Sequence, residues 1–235
     1  MATQVGMTGR IGNVVHYKMG DKFYTRSLPR KYKQTKGTKA KSSEFGMAST
    51  IAMLIRQNLG EVIFDPTDRK MQIRLVGEIY SWIQIARQEP ASNENQPKLN
   101  GFFFSDSPGI SSRWRVNYEV SKPANGQIQI TIPSFIPKEA FKSPTGTSAI
   151  ICKIASVVIG IKNKKELGSA INEISYELDQ NRVPTQKIIQ DLPTPAGSLL
   201  ITAMCLEYIV NRYQRAVPTK EKLFRPSQII YSVYN

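Results

Sequence analysis

The sequence predicts an α+β protein: an N-terminal basic β-hairpin and a two-helix hairpin, followed by an antiparallel Greek-key β-sandwich. Three observations predict this class. Positive charge is gathered at the front, where ten of the 32 Lys and Arg residues fall in the first 41 positions against one acid, Asp21. Two stretches between residues 42 and 88 repeat apolar side chains every three or four positions, the period of a helix. From Gly101 onward the apolar period becomes two, punctuated by Pro, Gly and Asn, as in a series of short strands.

The elements follow in order. Residues Gly9 to Arg26 read as two short alternating strands joined at Met19-Gly20-Asp21, because glycine supplies the positive φ of a tight hairpin turn. Leu28 to Lys41 has no apolar period and carries only positive charge, so it is expected to be extended until a partner neutralises it. Ser42 or Ser43 is a plausible N-cap. Phe45, Ala48, Ile51, Ala52, Leu54, Ile55 and Leu59 then share one helical face, and Gly60 stands where a C-terminal cap belongs. In the second helix Asp65 caps, Pro66 occupies the first turn, and Met71, Leu75, Ile79, Ile83 and Ala86 form a stripe widened by Ile73, Val76 and Tyr80. Gln88 to Asn100 is polar, contains Pro90 and Pro97, and reads as a linker.

Beyond it, Trp114, Val116, Tyr118 and Val120 alternate with polar residues. The turn Pro123-Ala124-Asn125-Gly126 follows, and then Ile128, Ile130 and Ile132 alternate in their turn, the pattern of a hairpin. Further strands are expected near 149–161, 170–178, 186–192, 198–211 and 227–234. About seven antiparallel strands of this spacing suit a sandwich of the immunoglobulin or fibronectin kind. The expected domains are therefore a basic hairpin and arm at 1–41, a helical hairpin at 42–88, and a β-sandwich at 101–235.

Composition excludes several classes. The chain of 235 residues is 40% apolar, enough for a packed core, and is not disordered. No stretch approaches the roughly 20 apolar residues of a membrane-crossing helix, so no transmembrane segment is expected. The first eight residues show neither a basic nor an apolar segment of a secretory signal, which makes the cytoplasm the default address. Cys152 and Cys205 read as buried small apolar residues, with a single bridge between facing strands as the alternative. His16 is the lone histidine, so neither a metal site, a cofactor site nor a His-based catalytic arrangement is expected. No phosphate-binding glycine loop or nucleophile-elbow pattern is present, and Glu173 and Glu177 read as the solvated face of a strand. An enzyme is the class with least support.

The chain carries +14 overall, of which the first 41 residues hold +9. Such a head suits binding, and the residues expected to carry it are Arg10, Lys18, Lys22, Arg26, Arg30, Lys31 and Lys33, with Tyr17 and Tyr24. As a protein-docking element it would enter a groove lined by acidic groups. As a nucleic-acid arm it would neutralise phosphates, with Tyr17, Phe23, Tyr24 and Tyr32 offering stacking faces, though no helix-turn-helix, RRM or KH pattern accompanies it. A structural alternative packs Val14, Tyr17, Phe23 and Tyr24 on the chain's own helices.

Three segments carry a resemblance: Gly9 to Lys18, then Arg26-Ser27-Leu28-Pro29, and the helix with Phe45-Gly46-Met47-Ala48-Ser49. In these the chain resembles an uncharacterised family of small basic Bacteroidota proteins. That family opens with a G-[KR]-[IV]-G-x-V-V-x-Y hairpin, continues through R-S-x-P and a basic linker to a K-F-x-x-A-S helix, and ends on an Ig-like region. The closing residues Gln228 to Tyr234 are similar to its last strand, while Glu44 stands where the family often has a basic residue. The middle, from Gly60 to Lys220, is matched by architecture only. By overall resemblance the chain is also similar to the plug of the type 9 secretion translocon. That resemblance implies a non-enzymatic stopper, a large outer-membrane channel as protein partner, and a location at the periplasmic face of the outer membrane. A nucleic-acid-binding or phage-associated structural protein is the alternative.

Overall fold

The computed structural model describes residues 8–28, 33, 35–88, 99–121, 127–212 and 215–235. It is an α+β chain with antiparallel sheets, and it divides into two units, 1–41 and 42–235. The first holds a three-stranded meander of β1 (Gly9–Ile11), β2 (Val14–Met19) and β3 (Lys22–Ser27). The expected two strands are therefore three, because Gly12-Asn13 makes a second two-residue turn between Ile11 and Val14.

Helix α1 spans Lys36–Asn58, several residues earlier than Ser42. Its cap is Thr35, whose Oγ1 accepts the Thr38 N–H at 3.1 Å. Residues 36 to 41, expected to be extended, are thus helical, since lysine propagates a helix well once the first turn is capped. Ala48, Ile51, Ala52, Ile55 and Leu59 are fully buried, as their spacing requires. Phe45 departs from that face: it is 56% exposed and meets Tyr80 edge-on. Helix α2 spans Arg69–Gln88 and is capped by Asp68, which accepts the Lys70 N–H at 2.8 Å; Asp65 instead holds the preceding turn through Thr67. Met71, Leu75, Ile79 and Ile83 are buried with Trp82, whereas Ile73 is solvent-facing.

Two sheets complete the second unit. The larger has the order β10-β9-β6-β7, built from β6 (Thr147–Gly160), β7 (Lys165–Glu177), β9 (Ser198–Arg212) and β10 (Arg215–Pro218), with β11 (Ser227–Tyr234) also on β9. The smaller runs β4-β5-β8, from β4 (Glu119–Ser121), β5 (Ile128–Ile132) and β8 (Gln186–Gln190). The expected strand from Trp114 forms its ladder only from Glu119. Trp114 instead ends a helical turn, its N–H bonded to Ile110 O at 2.7 Å, and its ring stacks on Phe141. The turn expected at residues 123–126 and most of the linker at 88–100 lie outside the described residues.

Alternation along β6 and β9 feeds two cores. One face of each strand, through Ala155, Val157, Ile159, Leu199, Ile201, Ala203 and Cys205, packs with α1 and α2. The other face, through Ile150, Cys152, Ile154, Val158, Leu200, Met204 and Leu206, packs with Ile128, Ile130 and Ile132 of β5 and Ile188 of β8. Both cysteines are free and buried. Cys152 is opposite Leu206 and Cys205 opposite Lys153 in the same ladder, so the thiols lie on opposite faces and no bridge joins them.

A polar network interrupts the second core. Ser156 Oγ donates to Gln190 Oε1 and lies 2.8 Å from Thr202 Oγ1, while Gln190 Nε2 donates to Asn172 Oδ1 at 2.8 Å. Satisfied buried polar groups of this kind fix which residues of two sheets face one another. Gln190→Ala is expected to destabilise the fold by about 3 kcal/mol in urea unfolding, because Ser156 and Asn172 each lose a buried partner.

Burial also sets the alkaline limit. It pushes the Cys205 thiol up to about 12 and raises the hydroxyls of Tyr176 and Tyr208, the last of which has no hydrogen-bond partner among the described residues. The folded chain keeps these protons after the unfolded chain has released them, so stability falls as pH rises above the ordinary thiol value of 9.0. The urea midpoint is expected to be flat up to about pH 9 and then to decline toward pH 12, with a shallower decline in Tyr208→Phe.

Candidate partner-binding surface

Two tight turns shape the ribbon of the first unit. Gly12 and Gly20 adopt φ of +57° and +63°, while Asn13 and Asp21 do not enter the positive region. A positive φ at the first central residue alone is the type II′ pattern, whose twist matches that of paired strands. The registers Ile11↔Val14 and Met19↔Lys22 confirm two-residue loops.

Those registers sort the side chains onto two faces. Arg10↔Val15↔Arg26 forms one row across all three strands; Tyr17↔Tyr24 is the next, and Met19↔Lys22 the last. All seven residues point to the same side of the sheet, because cross-strand partners share a face and every second residue returns to it. The other side carries Ile11, Val14, His16, Lys18, Phe23 and Thr25.

Ring contacts hold the first face in order. Tyr17 and Tyr24 stack at 5.7 Å with 23° between their planes, and the Arg26 guanidinium lies over Tyr17 at 5.6 Å. Arg10 Nε donates to Gly12 O at 3.0 Å, which ties this arginine to the first turn. On the opposite side Lys18 lies over Phe23 at 5.7 Å, and His16 Nδ1 is 2.8 Å from Thr25 Oγ1. Tyr17, Tyr24 and Phe23 are 37%, 38% and 48% exposed, and Met19 and Ile11 more so. Among the described residues no carboxylate forms an ion pair with Arg10, Lys22 or Arg26.

Of the residues expected to bind a partner, the structure gathers Arg10, Tyr17, Lys22, Tyr24 and Arg26 on one face and sets Lys18 on the other. Lys33 is exposed outside the ribbon, and Arg30 and Lys31 lie outside the described residues. Sequence reasoning overlooked β1, which carries Arg10 into the cationic row. Its signal was the Gly12-Asn13 pair, a turn dipeptide of the same kind as Gly20-Asp21.

Among its described residues the second unit holds a dense ionic cluster around Lys153. The Lys153 ammonium lies 3.4 Å from Glu207, 3.7 Å from Glu173 and 3.9 Å from Glu61. Burial works to lower its pKa, but the Glu207 and Glu173 carboxylates outweigh this and raise it. Glu173 of β7 and Glu207 of β9 thus favour the charged form of Lys153 and tie β6 to both neighbouring strands. Among the described residues no group of three or more His, Cys, Asp or Glu could hold a metal ion, and no helix is long and apolar enough to cross a membrane. No protein-family model matches the chain, and no curated protein does so.

A Cβ at Gly20 would touch nothing within 4 Å, so substitution there acts through backbone strain alone. Gly20→Val is expected to cost the ribbon about 1–2 kcal/mol and to speed amide hydrogen exchange across residues 14–27 roughly tenfold, with the unfolding midpoint of the second unit unchanged.

Proposed function

We propose that the protein is a non-enzymatic binding subunit whose ribbon grips a partner and whose second unit is a rigid body. The partner we propose is a large outer-membrane protein-export channel of the type 9 secretion kind, which the chain closes as a plug or gate from the periplasmic side. For the body we propose an Ig-like Greek-key relation between the sheets. Its support is that β8 lies in the smaller sheet between β7 and β9, and β9 then returns beside β6, an over-and-back connection of that type.

The ribbon carries the reading. Its exposed Tyr17, Met19, Phe23 and Tyr24 belong to neither core cluster of the described residues, and exposed apolar groups rimmed by charge are the mark of an interaction surface. An acidic wall would draw the +9 head by long-range attraction, and shape would then decide the fit. The choice of partner follows the overall resemblance to the plug of that translocon, whereas the motifs of residues 9–49 and of the last strand are those of the uncharacterised family. The same cations beside aromatic rings also favour a second reading, a nucleic-acid-binding or phage-associated structural role.

One comparison separates the two. The full chain and a variant with Arg10, Lys18, Lys22 and Arg26 all changed to Gln are used to capture solubilised outer-membrane proteins, and both are titrated with DNA over a salt series. The channel is expected to copurify with the native chain and to be lost with the variant. DNA binding that falls steeply with salt, with no channel recovered, would replace the first reading by the second.

A further inference from the structure

We infer that the Arg10/Tyr17/Tyr24/Arg26 face of the ribbon is a carboxylate clamp, built to take a pair of acidic side chains on a protein surface. The inference rests on the reading of the ribbon as a grip and adds which face is used and for what chemistry.

Geometry supports it first. Arg10 and Arg26 pair with the same residue, Val15, from opposite sides, so they flank it at two strand spacings, about 10 Å. Each guanidinium is already steered. Arg26 lies over the Tyr17 ring and is solvent-exposed, so the ring restrains it while its N–H donors remain available to a bidentate carboxylate. Arg10 spends its Nε–H on Gly12 O and retains its two terminal amino groups. Holding both side chains before binding reduces the entropy lost when a carboxylate arrives.

Ring occupancy then favours a protein over a nucleic acid. Base stacking needs a free aromatic face. Tyr17 has Tyr24 and Arg26 against its ring, and Lys18 lies over one face of the half-exposed Phe23 on the reverse side, so the rings are partly engaged by the chain's own side chains. What the half-exposed tyrosine pair adds is phenol hydroxyls and apolar ring surface, suited to hydrogen bonding and to apolar contact beside an ion pair. Lys22 stands two rows away on the same face, where it adds attraction at longer range. Lys18, on the other face, has no part in the clamp.

The test uses the full chain with two probes: a fluorescent peptide of alternating glutamate and leucine, and an oligothymidylate of about ten nucleotides. The peptide is expected to bind, and the double change Arg10→Glu with Arg26→Glu to weaken it more than tenfold, while Lys18→Glu costs less than about threefold. Arg10→Lys with Arg26→Lys keeps the charge and is expected to lose about fivefold, because a lysine cannot engage a carboxylate bidentately. Equal losses from Lys18→Glu, no loss from the lysine pair, or tighter binding of the oligonucleotide than of the peptide would each overturn the clamp. Channel capture with the double glutamate variant keeps the two readings apart. If it still captures the channel while the fourfold glutamine variant does not, the ribbon is the grip and the clamp is wrong; if both capture it, the ribbon is not the grip.

Discussion

The antiparallel ladder between β6 and β9 is buried on both sides, and its neighbours are what they are because of it. Strands that face apolar material in both directions read as continuous apolar runs, and 150–159 and 199–210 do so. Each face then needs a cover. The α1 and α2 stripes cover one, and the small β4-β5-β8 sheet covers the other. Positions where the runs turn polar are accounted for by partners that arrive from elsewhere. Ser156 and Thr202 meet Gln190, and Lys153 meets Glu61, Glu173 and Glu207. A helical layer, a central sheet and a second sheet thus follow from one pair of strands having no solvent-facing side.

The ribbon obeys different rules. It has three strands of three to six residues, and small isolated sheets are marginal without a core. What orders it is local: two II′ turns, a stacked tyrosine pair and cations seated on rings. Such contacts cost little to form and leave the polar ends of the side chains outward. Charge that would burden a folded body is carried where it disturbs no packing.

Much of this was legible in the residues. The long strands announced themselves as β-branched apolar runs with Pro and Gly punctuation between them, so expectations of 149–161 and 198–211 meet observed strands of Thr147–Gly160 and Ser198–Arg212. Short or charged elements were harder to see. β1 is Gly-Arg-Ile, too brief for any period, and the first turns of α1 are lysine-rich with no apolar stripe, so only the Thr35 cap marks them. The expected cap of α2 was Asp65, but its carboxylate is engaged by Thr67 and Asp68 caps the helix instead. The binding residues were recognisable by charge, but their division between faces depends on register, which the position of each turn decides. Lys153 showed nothing of its role, since its carboxylates come from residues 61, 173 and 207, brought near only by the completed sheet.

The opposed placement of Cys152 and Cys205 has a further meaning for where such a chain can live. Two sulfurs separated by a sheet cannot be oxidised to one another without dismantling it, and burial keeps both in the unreactive protonated form. The fold therefore neither gains a staple among disulfide-forming enzymes nor loses one among thiol reductants. Its native state is indifferent to the thiol–disulfide poise of whatever surrounds it.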